Sequence, residues 1–233
     1  MIGVFDSGVG GLVSARELAR LLPCEDILFF ADRKNAPYGT KEKDELIRLV
    51  KADIKRLSDR GAEKILIACC TASTVYPYLD AAEQKISVPI ILPAVRAALA
   101  VSDEVAVIST LYTKRSHAFL REARRLSPTA SVSELAVQEL VGMVEGGARD
   151  GSVSRECCEL LDRLCSELIP RSAGALILGC THFSHLEREL EARLPGVRII
   201  SPAIEGAREL AQAFSNEKNN SRGRLIFTSA KGK

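Results

Sequence analysis

The sequence predicts an α/β protein made of two similar parallel-sheet domains with an active-site cleft between them, and three observations lead to this prediction. Short apolar runs alternate with amphipathic helical patterns along the 233 residues, as they do when helices cover both faces of a parallel sheet. Hydrophobic residues make up 46% of the chain and are mostly aliphatic, which suits strands buried on both faces. The strand-then-hydroxyl pattern of residues 3–7 returns at residues 106–110, so the two halves of the chain resemble each other.

The first half of the chain predicts four strands and three helices. Its strands are short apolar runs, and its helices are segments in which apolar residues recur every three or four positions. The predicted strands are residues 2–5, 27–30, 64–68 and 89–92. The predicted helices are residues 12–22, 42–60 and 73–84.

The second half repeats this alternation. The predicted strands are residues 104–108, 132–135, 175–178 and 198–200, followed by a last edge strand at 224–228. The predicted helices are residues 114–126, 138–145, 153–168, 186–194 and 205–214. Because the last helix should return to the first unit, we expect one domain from residues 1–94 with 207–233, and a second from residues 95–206.

The composition excludes several classes of function. The net charge is only +2 and no basic stripe is interleaved with aromatic residues, so we expect no nucleic-acid partner. No apolar run approaches membrane-spanning length and no secretory pattern opens the chain, so we expect no membrane partner and a cytoplasmic protein. The seven cysteines include no Cys-x-x-Cys pair and only three histidines are present, which predicts free thiols and no metal site.

Two cysteines follow apolar strands in matching contexts. Cys69 ends the run Ile65-Leu66-Ile67-Ala68, and Cys180 ends the run Leu176-Ile177-Leu178-Gly179. Open α/β sheets bind ligands at the carboxyl ends of their strands, so both thiols should reach one cleft. A following helix N-terminus should lower the thiol pKa, although free cysteine is also a common buried apolar residue. The cysteines inside the helical pattern at 153–168 are predicted to be structural.

A glycine-rich turn, Asp6-Ser7-Gly8-Val9-Gly10-Gly11, ends the first strand. The third glycine of a dinucleotide-binding fingerprint would fall at Val13, which disfavours a nucleotide site. We interpret the turn as a cradle whose backbone N–H groups and Ser7 hydroxyl hold a small carboxylate, with Asp6 as a charged group at the cleft. The simpler alternative is a tight turn whose Asp6 only caps the next helix.

Three further candidates lie in loops or at a helix end. Tyr38 and Gly39 close the loop after the second strand and could offer backbone donors to an anionic side chain, although such a loop can also be an ordinary turn. His182, two positions after Cys180, could orient or protonate that thiol. Glu145 ends a predicted helix before paired glycines, where an exposed structural acid is the simpler interpretation.

Together these motifs resemble one family. The sequence carries Phe5-Asp6-Ser7-Gly8-Val9-Gly10-Gly11, Pro37-Tyr38-Gly39, Ala68-Cys69-x-Thr71-Ala72-Ser73 and Leu178-Gly179-Cys180-Thr181-His182 in this order. The segments are similar to those of the glutamate racemases in the aspartate/glutamate racemase superfamily. The resemblance extends from residue 2 to about residue 228.

The resemblance implies a cofactor-independent interconversion of L- and D-glutamate that supplies D-glutamate for peptidoglycan. It also implies two α/β domains with the active site between them, and often a homodimer. By this resemblance, Cys69 and Cys180 are the catalytic bases, assisted by Asp6, His182 and Glu145. The substrate-contacting positions are Asp6, Ser7, Tyr38, Gly39, Cys70, Thr71, Thr181 and His182.

Two departures from the family pattern stand out. The family usually has Asn directly after the first cysteine, where this chain has Cys70, a weak donor in place of an amide. The chain also stops at Ala230-Lys231-Gly232-Lys233, where we expect the family's last helix to be missing or truncated and domain packing to differ.

The predicted chemistry explains why two thiols are needed. One thiolate removes the α-proton from one face of an amino acid, and the other cysteine, as thiol, returns a proton to the opposite face. Backbone N–H groups and threonine hydroxyls would stabilise the charge that develops on the α-carboxylate. The alternatives are a racemase of another acidic amino acid, such as aspartate, or a non-catalytic relative that binds acidic ligands or a protein partner.

Overall fold

The structure is a computed structural model that describes residues 1–146, 153–214 and 223–230. Over these residues the strands are β1 (Ile2–Asp6), β2 (Ile27–Ala31), β3 (Lys64–Ile67), β4 (Ser87–Pro89), β5 (Glu104–Ser109), β6 (Ser131–Ala136), β7 (Ala175–Gly179), β8 (Arg198–Ile200) and β9 (Leu225–Ser229). The helices are α1 (Leu12–Leu21), α2 (Lys43–Ser58), α3 (Cys70–Ser73), α4 (Ala81–Ile86), α5 (Ile91–Leu99), α6 (Leu111–Ser116), α7 (Ala118–Leu126), α8 (Glu139–Glu145), α9 (Arg155–Arg163), α10 (Glu187–Arg193) and α11 (Pro202–Phe214).

The strands form two parallel sheets, which confirms the predicted fold class. Sheet A has the order β4-β3-β1-β2-β9, and sheet B has the order β6-β5-β7-β8. The predicted edge strand near the end of the chain is confirmed, because β9 pairs with β2 from Ile27↔Leu225 to Ala31↔Ser229. Since all the pairings are parallel, the strands that precede the two cysteine motifs, β3 and β7, end at the carboxyl edges of their sheets.

The prediction of one helix over residues 73–84 is wrong. The segment instead contains α3, a 3-10 turn at Tyr76–Tyr78 and α4. Pro77 lies at the start of the turn, where its fixed φ and missing N–H suit a new helical segment. Asp80 and Glu83 then form a capping box that begins α4, each side chain accepting from the other residue's backbone N–H at 2.9 Å.

Two further boundaries differ from the sequence prediction. The strand predicted at residues 89–92 ends at Pro89, and the apolar residues that follow begin α5. The periodicity of the sequence did not predict this helix, because nearly all of its faces are apolar. The helix predicted at residues 114–126 is divided into α6 and α7 by His117, which adopts a left-handed conformation with φ 50°.

Four helices fill the space between the two sheets. α11 packs against α1 and α5, and α5 packs against α7, so that their buried side chains join the two sheets in one apolar core. Ser14 Oγ donates to Ala203 O at 3.0 Å and ties α1 to α11. A side chain at Gly206 would collide with Ile90, so glycine is needed for this close approach. The predicted domain boundaries, residues 1–94 with 207–233 and 95–206, stay a prediction.

None of the helices in the described ranges combines the length and apolar character that crossing a membrane requires.

Candidate active site

A cavity of about 470 Å³, including its open mouth, lies where the loops after β1, β3 and β7 meet. It brings together every site residue predicted from the sequence except Asp6, which lies directly behind its wall. The predicted residues that line it are Ser7, Tyr38, Gly39, Cys69, Cys70, Thr71, Glu145, Cys180, Thr181 and His182. A larger depression of about 1030 Å³ beside α6 contains neither Cys69 nor Cys180, so chemistry rather than size marks the candidate site.

Asp6 anchors the glycine-rich turn to the opposite sheet. Its carboxylate is fully buried and accepts from Gly8 N at 2.7 Å and from Thr181 Oγ1 at 3.1 Å. Burial raises the pKa of Asp6, while the charge of His182 and these hydrogen bonds oppose the rise. α1 begins after Gly11 with no side-chain cap, so the alternative in which Asp6 only caps that helix is not what the structure has.

The glycines of the turn permit close packing rather than an unusual φ. A Cβ at Gly10 would lie 2.5 Å from Thr181 Oγ1 and 3.1 Å from His182 N. A Cβ at Gly11 would lie 2.6 Å from Asp6 Cβ. The turn therefore fits directly against the loop that carries the second cysteine, and both loops share one wall of the cavity.

Cys69 lies between the end of β3 and the start of α3. Its sulfur accepts from Ala72 N at 3.5 Å and lies 3.7 Å from Ser7 Oγ. The sequence predicted a lowered pKa here, and this prediction is wrong. Burial, followed by the charge of Asp6, raises the pKa of the Cys69 thiol to about 12, because desolvation of the thiolate outweighs its hydrogen bonds.

Cys180 follows β7 and is also buried. Its sulfur lies 3.6 Å from His182 Nδ1. On the other side of the imidazole, His182 Nε2 lies 3.0 Å from Glu145 Oε1, but off the line needed for a hydrogen bond. Burial raises the pKa of the Cys180 thiol, and the negative charges of Cys69, Asp6 and Glu145 act in the same direction. Both cysteines are free thiols.

Cys70 and Thr71 line the cavity from the first turn of α3. Cys70 is only 2% exposed, and burial raises its pKa well above the usual value. Thr71 Oγ1 lies 3.3 Å from Thr110 Oγ1 and 3.1 Å from Thr113 Oγ1, and Thr110 donates to Thr113 at 2.9 Å. This threonine ring joins the loop after β3 to the start of α6.

The hydroxyl of Tyr38 is held by two carboxyls. The side chain is buried, and its Oη lies 2.7 Å from Asp32 Oδ2 and 2.7 Å from Asp53 Oδ2. Burial, together with the charges of these carboxyls, raises the pKa of Tyr38. The adjacent Gly39 faces Thr110, whose Cβ would lie 3.4 Å from a Cβ at that position. The expectation that Tyr38 and Gly39 offer backbone donors stays a prediction.

No cluster of three or more His, Cys, Asp or Glu side chains suited to a metal ion occurs within residues 1–146, 153–214 and 223–230. The chemistry that this part of the chain places at the cavity is that of three thiols, the Glu145 carboxyl and the His182 imidazole, with the Asp6 carboxyl directly behind the wall.

Comparison with known proteins agrees with this arrangement. Residues 24–210 match the model of the Asp/Glu/Hydantoin racemase family. The glutamate racemase of Gloeobacter violaceus is 36% identical over 216 residues, which is 92% of this chain and 80% of that protein. The chain belongs to the Asp/Glu/Hydantoin racemase family. The predicted resemblance and the expected enzyme class, a racemase, are thereby confirmed.

Solved structures of racemases share the whole architecture. The crystal structure of glutamate racemase from Thermus thermophilus in complex with beta-chloro-D-alanine has a TM-score of 0.84 and 33% identity, covering 99% of this chain and 87% of that one. The glutamate racemase from Francisella tularensis in complex with D-glutamate has a TM-score of 0.80 and 28% identity, covering 99% of this chain and 88% of the other.

The racemase cavity also contains residues that the sequence analysis missed. Thr110, Gln138 and Val141 line it from the second half of the chain. Gln138 and Val141 precede Glu145 by seven and four positions, which places the three on one face of α8. Because Glu145 was already a candidate, this helical spacing could have identified Gln138 and Val141 from the sequence.

Proposed function

We propose that this racemase interconverts L- and D-glutamate by a two-base mechanism in which Cys69 and Cys180 act on opposite faces of the α-carbon. The observation that carries the proposal is that two buried free thiols, delivered by matching strand ends of two sheets, line the same small cavity. The names of the relatives support glutamate as substrate, and the crystal structure of the Francisella tularensis enzyme is of its complex with D-glutamate.

Each thiol has its own neighbours for proton transfer. Cys69 has Ser7 Oγ and the Ala72 N–H, which favour its thiolate, and Asp6 nearby. Cys180 has His182, which in turn faces Glu145. Because burial raises both pKa values, the thiols are protonated at rest, and one of them must lose its proton before it can act as base. Asp6 and His182 are the groups placed to tune that step.

The wider role follows from the same resemblance. The product D-glutamate would supply peptidoglycan synthesis, in the cytoplasm and without a cofactor. The resemblance also supports a homodimer that binds a small acidic amino acid rather than nucleic acid or membrane. Aspartate is the second candidate substrate, because Cys70 occupies the position where the family usually has an amide.

The test measures α-hydrogen exchange and racemisation by NMR in deuterated water, on glutamate and aspartate separately. Cys69→Ser and Cys180→Ser should each reduce racemisation at least ~100-fold, since a serine hydroxyl is a far poorer base than a thiolate. Cys158→Ser is the matched control, because Cys158 lies on α9, outside the lining of the cavity, and should leave the rate unchanged.

Full racemisation in either cavity variant would refute the two-base mechanism. Exchange on aspartate but not on glutamate would change the substrate assignment. Exchange on neither amino acid by the unmodified protein would favour a binding protein.

A further inference from the structure

The cavity has to bind an acidic substrate without a cationic side chain in its lining. Of the described residues that line it, none is a lysine or an arginine. Under the proposed function the substrate carries two carboxylates, so hydrogen-bond donors that are neutral must recognise them. The available donors are backbone N–H groups, hydroxyls, thiols, the His182 ring and one carboxamide.

Most of the hydroxyl donors already have partners. Thr181 donates to Asp6. The threonine ring of Thr71, Thr110 and Thr113 can be closed by three hydroxyl protons, each donated to the next oxygen. Ser7 lies beside the Cys69 sulfur. These groups position the loops and the thiol, and their protons are not directed at a second carboxylate.

Gln138 supplies the carboxamide. It stands immediately before α8, and its Oε1 accepts from Leu111 N at 3.3 Å. Because an N–H donor must face the amide oxygen, this contact fixes which end of the carboxamide is Nε2. Within residues 1–146, 153–214 and 223–230 no hydrogen bond uses Nε2, so both of its protons remain for a ligand.

The position of Gln138 indicates which carboxylate it would meet. Its Oε1 lies 3.5 Å from where a Cβ of Gly39 would be, in the corner formed by Gly39 and Thr110. The sulfurs that must bracket the α-carbon contact Ser7 and His182 instead. Gln138 therefore lies in the corner of the cavity formed by Gly39 and Thr110, beside the backbone that was expected to bind an anionic side chain.

We infer that Gln138 is a specificity-determining residue that donates its Nε2 amide to the side-chain carboxylate of the substrate. It provides on the sheet B side of the cavity the carboxamide that Cys70 does not provide on the sheet A side. This inference rests on the proposed function and adds a residue to it.

Gln138→Glu is the sharpest test. Glutamate at this position retains an oxygen for Leu111 N–H but replaces the amide donor by a second acceptor with negative charge. We expect KM for D- and L-glutamate to rise at least ~10-fold with little change in kcat, because the contact is equally strong in ground state and transition state. Gln138→Met, which removes the donor without adding charge, should raise KM by less. Glu139→Gln, an exposed change on the same helix, should leave both constants unchanged.

The order of KM values, Gln138→Glu above Gln138→Met above the unmodified protein, is the expected result. Damage to the helix would instead lower kcat and the melting temperature in both variants. Equal KM in all three proteins, or a loss confined to kcat, would overturn the inference. If Gln138→Glu does not fold, KM of Gln138→Met is compared with KM of Glu139→Gln. A higher KM in Gln138→Met supports the inference, and an equal KM overturns it. Absence of activity in the unmodified protein would refute the proposed function itself, which is a distinguishable outcome.

Discussion

Replacing Asp53 by asparagine should stabilise the protein at neutral and alkaline pH and leave its stability at acidic pH nearly unchanged. The reason lies in the buried hydroxyl of Tyr38, which is 2.7 Å from a carboxyl oxygen of Asp32 and 2.7 Å from one of Asp53. A hydroxyl has one proton, so it can donate to only one of the two carboxyls. The other carboxyl must hold a proton of its own to make a hydrogen bond with the Tyr38 oxygen.

The surrounding contacts show which carboxyl holds it. Asn35 Nδ2 lies 3.1 Å and 2.8 Å from the two oxygens of Asp32, so both Asp32 oxygens already accept a hydrogen bond and Asp53 is the carboxyl that holds the proton. Asp53 is buried on α2, and burial raises its pKa to about 7 from an ordinary value of 3.8. The charge of Asp32 acts in the same direction, while the hydrogen bond from Tyr38 opposes it.

The sign and size of the effect follow from proton linkage. Between about pH 4 and about pH 7 the folded protein keeps a proton on Asp53 that the unfolded chain releases, so this group makes stability fall as pH rises. A difference of about three pKa units corresponds to at most ~4 kcal/mol of unfolding free energy, lost by pH 7 and above. Asparagine resembles the protonated acid and does not titrate, so the variant escapes this loss.

The assay is urea unfolding of both proteins at several pH values between about 4 and 8. Because Asp6 and other titrating groups are common to both, the difference between the two curves isolates Asp53. Asp59→Asn is the control, since Asp59 is exposed at the end of the same helix and pairs with Lys55. Parallel curves for Asp53→Asn and the unmodified protein, or a variant that is less stable throughout, would refute the reasoning.

Two further substitutions test the cavity wall. Cys70→Asn should lower KM for glutamate several-fold without changing kcat, because it restores an amide where the resemblance places a substrate contact. Unchanged KM in both directions would mean that Cys70 does not contact the substrate. Gly10→Ala should destabilise the protein by about 2 kcal/mol and reduce kcat at least ~10-fold, because its Cβ would lie 2.5 Å from Thr181 Oγ1. Gly142→Ala, where a Cβ meets nothing within 4 Å, is the control in thermal unfolding and rate measurements, and equal behaviour of the two alanine variants would contradict this account.

The strands were the most predictable part of the fold, because β1, β2, β3, β5 and β7 are continuous apolar runs bounded by polar residues. The helix α5 was not predictable from periodicity, since a helix buried between two sheets is apolar on nearly every face. The break at His117 could not be predicted either, because nothing in the local sequence announces a left-handed residue.

The candidate site likewise has some features that follow from the local sequence and others that depend on residues distant in the chain. The positions of Cys69 and Cys180 follow from their place after apolar strands, and the structure places both at one cavity. The direction of their pKa change does not follow, because it depends on burial by residues distant in the chain and on the charge of Asp6. Gln138 could have been found from its helical spacing to Glu145, but its contact with Leu111 could not, because that contact joins two loops that are distant in the sequence.

The two sheets are held together by contacts of unequal character, and this has a consequence for how a substrate can enter. One set is the apolar layer of α1, α5, α7 and α11, whose separation would expose hydrocarbon to water at a steep cost. The other set is polar and lies at the cavity: the Asp6–Thr181 hydrogen bond, the threonine ring and the approach of Gly39 to Thr110. Each such hydrogen bond contributes only about 1 kcal/mol net where water can replace the partner. If one sheet moves relative to the other, the motion with the lowest free-energy cost is therefore a rotation that keeps the apolar layer together as its hinge. Such a rotation would widen the seam where Gly39 faces Thr110, so we expect the substrate to enter beside Gln138, the residue inferred to bind its side-chain carboxylate.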